Sequence, residues 1–295
     1  MTAKDPMDAE GLATIQAGLS DFEDAFGYVY CAHGEKAVAD CRISMATLLK
    51  RQPAGRVAVF TDTPEAFADF PKVEPKFLPP KFRQIRFDKF YTLCHAPFRK
   101  SLYIDSDTII VNHMDCLSEA LDRFEILATP DLFGAPHTDV PKYIPQINGG
   151  FLGFDKTRSG AVDFIEQWLH FYNENYQQNH RDQETLHKSF VEISARFHIL
   201  PQEFNFMLVT PAVAKRQRHS VFMFHSRFIM DIIQAFGTRY IERLEEVADM
   251  ESEVVWHKTK YGGYFDCKGR RRQLLDPGDR VRYRLNRIQG HLRRR

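Results

Sequence analysis

The sequence predicts an α/β fold: a mixed, mainly parallel sheet flanked by helices, with a C-terminal helical and basic extension. Three observations carry the prediction. Near the N-terminus a β-rich run, an amphipathic helix and a second β-rich run follow within about 35 residues, the mark of a parallel βαβ unit. Short apolar runs alternating with helical spacing continue to about residue 227. Past Cys267, eleven Lys and Arg residues accumulate between Lys268 and Arg295.

Composition bounds the function classes. The 295 residues are 43% apolar and 27% charged, an ordinary globular balance and enough chain for one large α/β domain. Forty Lys and Arg against 39 Asp and Glu leave a net charge of +1, which argues against nucleic-acid binding through general basicity. The 25 Phe and 11 Tyr supply ample core and argue against disorder. No run approaches the ~18 apolar residues of a membrane span. The acidic stretch from Met1 to Asp24 has neither the basic nor the apolar region of a secretory signal. The five cysteines (Cys31, Cys41, Cys94, Cys116 and Cys267) are widely spaced without a CxxC pair, which disfavours a disulfide framework or structural zinc. The expectation is a cytoplasmic protein with reduced thiols.

Residues 1–27 read as an acidic lead-in, 28–227 as the main domain and 228–295 as the extension. The first strand is Tyr28 to Ala32, ending at His33-Gly34. Val38, Cys41, Met45, Leu48 and Leu49 give Lys36 to Lys50 helical spacing, and Pro53-Ala54-Gly55 stops it. Arg56 to Phe60 is the second strand, followed by a Pro-rich connector over 70–80. A helix is expected over 83–96. The apolar runs Ser101 to Ile104 and Thr108 to Val111 are strand halves broken by Asp105-Ser106-Asp107. Further strands fall at Ile126 to Thr129 and Asn148 to Phe154, separated by an irregular loop from Pro130 to Gln146. Helices are expected over 159–178, 182–190 and 228–248, with a last β-like run from Val221 ending at His225.

The most informative motif is Asp105-Ser106-Asp107. Carboxylates between apolar strand halves are costly unless used, and ligands of parallel sheets sit beyond strand carboxyl ends. Two Asp one residue apart can share a hard cation, Mg²⁺ or Mn²⁺. Asn148-Gly149-Gly150 offers close backbone approach and an amide; a turn or bulge explains it equally. Asp182-Gln183 opens a helix, where Asp also serves as a cap. His225 ends a strand and becomes a metal ligand if that end lies near the two Asp.

In this order the motifs resemble the GT-A-fold glycosyltransferases of the retaining family-8-like clan, the glycogenin and lipopolysaccharide-galactosyltransferase type. The likeness runs over residues 28–227. It rests on Tyr28 to Ala32, Val59 to Asp62, Lys100 to Thr108, Asn148 to Leu152, Asp182 to Leu186 and Pro201-Gln202-Glu203-Phe204-Asn205. The sequence departs from the family after its late His, where Phe224-His225-Ser226-Arg227 replaces the usual His-Gly and Lys-Pro-Trp.

The resemblance implies a metal-dependent hexosyltransferase using a nucleotide diphosphate sugar, UDP-sugar favoured, with retention. Asp105, Asp107 and His225 would hold Mn²⁺ or Mg²⁺, with His257 a rival third ligand. Ala32, His33, Asp62, Lys89, Ser106, Asp131, Asn148, Gly149, Gly150 and Arg227 would contact the donor. Asp182 and Gln183 would lie at the β-face of the anomeric carbon, and either could stabilise the cation or act as nucleophile. The acceptor would be a glycan, a lipid-linked molecule or a protein. The Arg-rich tail suits peripheral contact with an anionic membrane, and nucleic acid is not an expected partner. Two other classes stay open: a nucleotidyltransferase making a nucleotide sugar, and a non-enzymatic module binding RNA or membrane through its tail.

Overall fold

The computed structural model describes residues 6–83, 86–131, 145–176, 182–208, 215–217, 220–248, 254–259, 262–267 and 270–292. In chain order the elements are α1 (Ala9–Ala17), β1 (Glu23–Ala32), α2 (Glu35–Arg51), β2 (Val57–Thr61), β3 (Val73–Phe77), α3 (Phe87–Cys94), β4 (Phe98–Ile104) and β5 (Thr108–Ile110). They continue with α4 (Cys116–Arg123), β6 (Ile126–Pro130), β7 (Ile147–Asp155), α5 (Ser159–Asn175), α6 (Asp182–Glu192), β8 (Phe197–Ile199) and β9 (Phe206–Met207). The last are β10 (Lys215–Gln217), β11 (Met223–His225), α7 (Arg227–Phe236), α8 (Arg239–Ala248), β12 (Val254–Thr259), β13 (Gly262–Cys267), β14 (Arg270–Gln273) and α9 (Pro277–Leu292).

The chain divides into two compact units, 1–106 with 114–202, and 107–113 with 203–295. The first is built on a seven-stranded sheet among the described residues, in the order β3-β2-β1-β4-β7-β6-β8. Neighbours pair in parallel except at β7, which runs antiparallel to β4 and β6. The reversal has a positional consequence. The carboxyl ends of β1, β2, β4 and β6 and the start of β7 all fall at one edge of the sheet, because Ile104 lies opposite Phe151 and Pro130 opposite Ile147. Ala32, Asp62, Asp105, Asp131 and Asn148 all follow from that edge.

The helices cover the sheet through apolar stripes. In α2 the buried Val38, Cys41, Met45 and Leu48 recur at helical spacing. Phe90 of α3 meets Trp168 of α5 edge-on, with ring centroids 4.7 Å apart, a geometry that adds to simple burial. The acidic lead-in is folded: Met7, Ile15 and Leu19 join the core, and Asn173 caps the backbone of Met7. Lys156, at the end of β7, is buried and donates to three carbonyls, those of Gly18, Cys94 and Ala96.

The second unit contains a three-stranded sheet, β5-β11-β9, and a four-stranded sheet, β10-β12-β13-β14. The expected strand pair around Asp105-Ser106-Asp107 is therefore two strands of different sheets. The helix expected over 228–248 is split into α7 and α8 at Gly237, whose φ of +96° is a conformation that side chains beyond glycine rarely adopt. The basic tail is ordered in part: Leu274, Leu275 and Tyr283 are buried, and the Tyr283 ring lies edge-on to Phe228 of α7. The Pro-rich connector contains edge strand β3, where Pro75 opposes Val59; an edge tolerates the missing donor. The helix expected from residue 83 starts at Phe87. No described helix is long and apolar enough to cross a membrane.

Candidate active site

The sheet edge gathers polar groups from four elements of the first unit. Lys89 projects from α3 and is buried. Its Nζ donates to the Gly149 carbonyl and to Asp182 Oδ2, each at 3.1 Å, and lies 3.7 Å from Asp105 Oδ1. Asp182, at the start of α6, is 5% exposed and also faces Arg86 Nε at 3.3 Å. A carboxylate so buried persists as an ion only because cations face it. Burial pushes the Asp182 carboxyl upward, but Lys89 and Arg86 outweigh it and hold it below the usual range. Burial likewise pushes Lys89 down, and Asp105 with Asp182 more than restores it. The two directions agree on a charged triad of Lys89, Arg86 and Asp182.

Around this triad the start of β7 is fixed from both sides. Gln183 Oε1 accepts the Gly149 N–H at 3.4 Å, and its Nε2 donates to the Ile147 carbonyl. Asn148 Oδ1 accepts the Gly150 N–H at 2.8 Å. Asp105 receives the Tyr103 hydroxyl at 2.8 Å, and its own N–H donates to Gly150. A Cβ at Gly149 would press on Leu186 at 3.3 Å and meet Lys89 Nζ at 3.5 Å and Asp182 Oδ2 at 3.6 Å, so the glycine lets the backbone pack directly against the ion pair.

At β1 and β2 of the same edge, His33 Nε2 lies 3.0 Å from Asp88 Oδ2, the residue before Lys89. That hydrogen bond raises the imidazole above its ordinary range. Asp62 accepts the Gly34 N–H at the mouth of α2. Ala32 is buried in β1. Ser106 and Asp131 are half-buried, and Asp131 donates its N–H to the Gln146 carbonyl at 2.7 Å. Residues 132–144 of the long loop lie outside the described residues.

The second unit contributes a separate group. Because His225 pairs with Thr108 across β11 and β5, its ring meets Asp107: Nε2 is 3.1 Å from Oδ1. Nδ1 is 3.0 Å from Asn205 Oδ1. Both ring nitrogens thus face oxygen acceptors. With Asn205 Oδ1 accepting from Nδ1–H, Nε2 faces Asp107 either as a donor or beside a cation. Arg227 Nε approaches Asp107 Oδ2 at 3.2 Å from an exposed position. Burial pushes the Asp107 carboxyl upward, but His225 and Arg227 outweigh it and keep it ionised well below the usual range. The side chain of His257 lies outside the described residues.

Sequence reasoning missed Arg86, Tyr103 and Asn205. Arg86 has no motif around it, and it adopts φ of +68°, the sole positive φ outside glycine among the described residues; such outliers gather at functional sites. Asn205 was marked within Pro201 to Asn205, but its partner His225 is 20 residues away and the contact has no sequence signal.

Comparison with solved structures bears on the fold. A structure of LgtC with an active-site mutation aligns with a TM-score of 0.53 at 16% identity, over 75% of this chain and 95% of that one. The fold is GT-A. The galactosyltransferase LgtC in complex with donor and acceptor sugar analogues shares it, with a TM-score of 0.52 at 16% identity over 76% of this chain and 96% of that one. So does the glycosyltransferase GlyE of Streptococcus pneumoniae TIGR4, at 0.53 and 16% over 77% of this chain and 61% of that one. No family model and no curated protein matches the sequence. In a GT-A fold the edge that carries Asp105, Asn148 and Lys89 is the ligand edge expected of strand carboxyl ends.

Proposed function

We propose that the protein is a metal-dependent glycosyltransferase that moves a hexose from a nucleotide diphosphate sugar, UDP-sugar favoured, to a glycan, lipid-linked or protein hydroxyl with retention. One observation carries it: a buried Lys89–Asp182 pair, flanked by Asp105, Gly149 and Gln183, stands at the strand-end edge of a GT-A sheet. A buried ion pair adds little to stability, so its presence at the strand ends argues for use.

Asp105, Asp107 and His225 would hold the divalent cation; two carboxylates and one imidazole suit Mn²⁺ or Mg²⁺. His225 fits that part, since Asn205 Oδ1 accepts a hydrogen bond from its Nδ1–H and leaves Nε2 facing Asp107. Such a cation would neutralise charge on the departing diphosphate. Lys89, Arg86 and Arg227 supply further positive charge for the donor. Ala32, His33 and Asp62 take the nucleoside side of the donor, with Ser106 beside the diphosphate. Asp131, Asn148, Gly149 and Gly150 take the sugar.

Asp182 is held ionised by two cations, so it is a poor proton acceptor at neutral pH. Its part is to keep Lys89 and Arg86 in place. Gln183 supplies the carboxamide dipole toward the sugar face. Peripheral contact with an anionic membrane belongs to the same reading, through Arg280, Arg282 and Arg284 of α9.

The test is a panel of nucleotide diphosphate sugars with Mn²⁺, scored for release of nucleoside diphosphate without acceptor. One donor should be hydrolysed, EDTA should stop it, and Asp105→Asn or Asp107→Asn should abolish it in a folded protein. Failure of every donor overturns the assignment. NMR of the first product's anomeric proton checks retention: a β-linkage from an α-linked donor rejects it.

A further inference from the structure

The second unit holds a cavity of about 400 Å³, within the range of small-ligand sites. It lies where the end of α8 and the strand-to-helix turn after β14 meet the first turn of α9, and three arginines line it: Arg243, Arg272 and Arg280. Arg243 is already committed. Its Nη2 donates to Asp276 at 2.9 Å and its Nη1 to the Leu274 carbonyl, so Asp276 is neutralised and the guanidinium is immobilised. Arg272 and Arg280 have no carboxylate partner among the described residues. Val247 and Leu275 close the floor, and both are buried. Glu246 stands exposed at the rim.

We propose that this cavity binds a phosphate monoester. The group carries a charge near −2 at neutral pH, which matches the two uncommitted guanidiniums, and their planar forks suit phosphoryl oxygens bidentately. Glu246 disfavours bare polyanions and accepts a hydrogen bond from a hydroxyl of the ligand. None of these residues is among those assigned to the donor sugar, so the site stands independently of the proposed transferase activity. The monoester can be a free metabolite or a lipid headgroup.

The two sources separate in one experiment on the full chain, in EDTA. Titration calorimetry with glycerol phosphate tests the free ester. Co-sedimentation with phosphatidic acid vesicles, against phosphatidylglycerol vesicles of equal surface charge, tests the headgroup. Arg272→Gln/Arg280→Gln should weaken binding in the active arm about tenfold or more. The charge-matched Lys50→Gln/Arg123→Gln, exposed on α2 and α4 of the first unit, should change it less than about threefold. Saturable binding of glycerol phosphate with that pattern assigns a soluble ligand. Preference for phosphatidic acid with that pattern, without glycerol phosphate binding, assigns the headgroup. Equal weakening in both variant pairs, or no binding in either arm, overturns the site.

Discussion

Lys156 ties three carbonyls together, and its protonation should set the alkaline stability of the first unit. A free lysine titrates near 10.5, whereas burial pushes Lys156 down to about 8. Between those values the unfolded chain binds more protons than the folded one, so stability rises with pH across the window. The contribution is fully present above 10.5 and is lost as pH falls through 8. At about 1.4 kcal/mol per tenfold the whole difference is worth about 3 kcal/mol. Roughly 2 kcal/mol of it is regained between about pH 7 and 9.5. The perturbation is Lys156→Met, which removes the proton and keeps the length. Urea unfolding of both proteins across this range, followed by circular dichroism, gives the difference in pH slope. Other titrating groups, including the buried tyrosines, cancel in that difference. Parallel stability profiles for the two proteins would refute the reasoning, because they would mean that Lys156 titrates alike folded and unfolded.

Two further outcomes follow from the triad. Lys89→Met leaves the buried Asp182 facing Arg86 alone, and should cost about 3 kcal/mol in urea unfolding; adding Asp182→Asn should recover most of that loss. Gly149→Ala presses its methyl on Leu186 at 3.3 Å, with Lys89 Nζ at 3.5 Å and Asp182 Oδ2 at 3.6 Å, so urea unfolding should show a loss of about 1 kcal/mol. Its donor hydrolysis should fall at least about tenfold, because the methyl crowds Lys89 and Asp182; unchanged kcat/KM would remove Gly149 from the site.

What was legible in the sequence was polarity out of place. Asp105-Ser106-Asp107 interrupts apolar strands, and Asn148-Gly149-Gly150 opens one. Such interruptions cost free energy, so they mark sites without any structure. The βαβ start was legible because the periodicities of Tyr28 to Phe60 differ cleanly. What stayed hidden depends on contacts distant in sequence. Nothing near Asp107 announces that its strand half leaves for another sheet, where β11 delivers His225. Lys89 approaches Asp105, and His225 and Arg227 approach Asp107, from positions far away in the sequence. Edge strands β3 and β8 were missed for a different reason, since one contains Pro75 and the other spans three residues.

The reversed strand β7 has an evolutionary consequence. Because β6 and β7 form a hairpin, the connection between them leaves and re-enters at one point. There the Asp131 N–H closes onto the Gln146 carbonyl beside the Pro130–Ile147 pair. The ends of the connection are therefore joined by a clasp that the sheet itself maintains. Loop closure costs only about 0.6 kcal/mol more for each doubling of length, so this segment can be swapped or extended as a cassette while both strands keep their register. Changes in the length or composition of this connection can accumulate without renegotiating the scaffold beneath it.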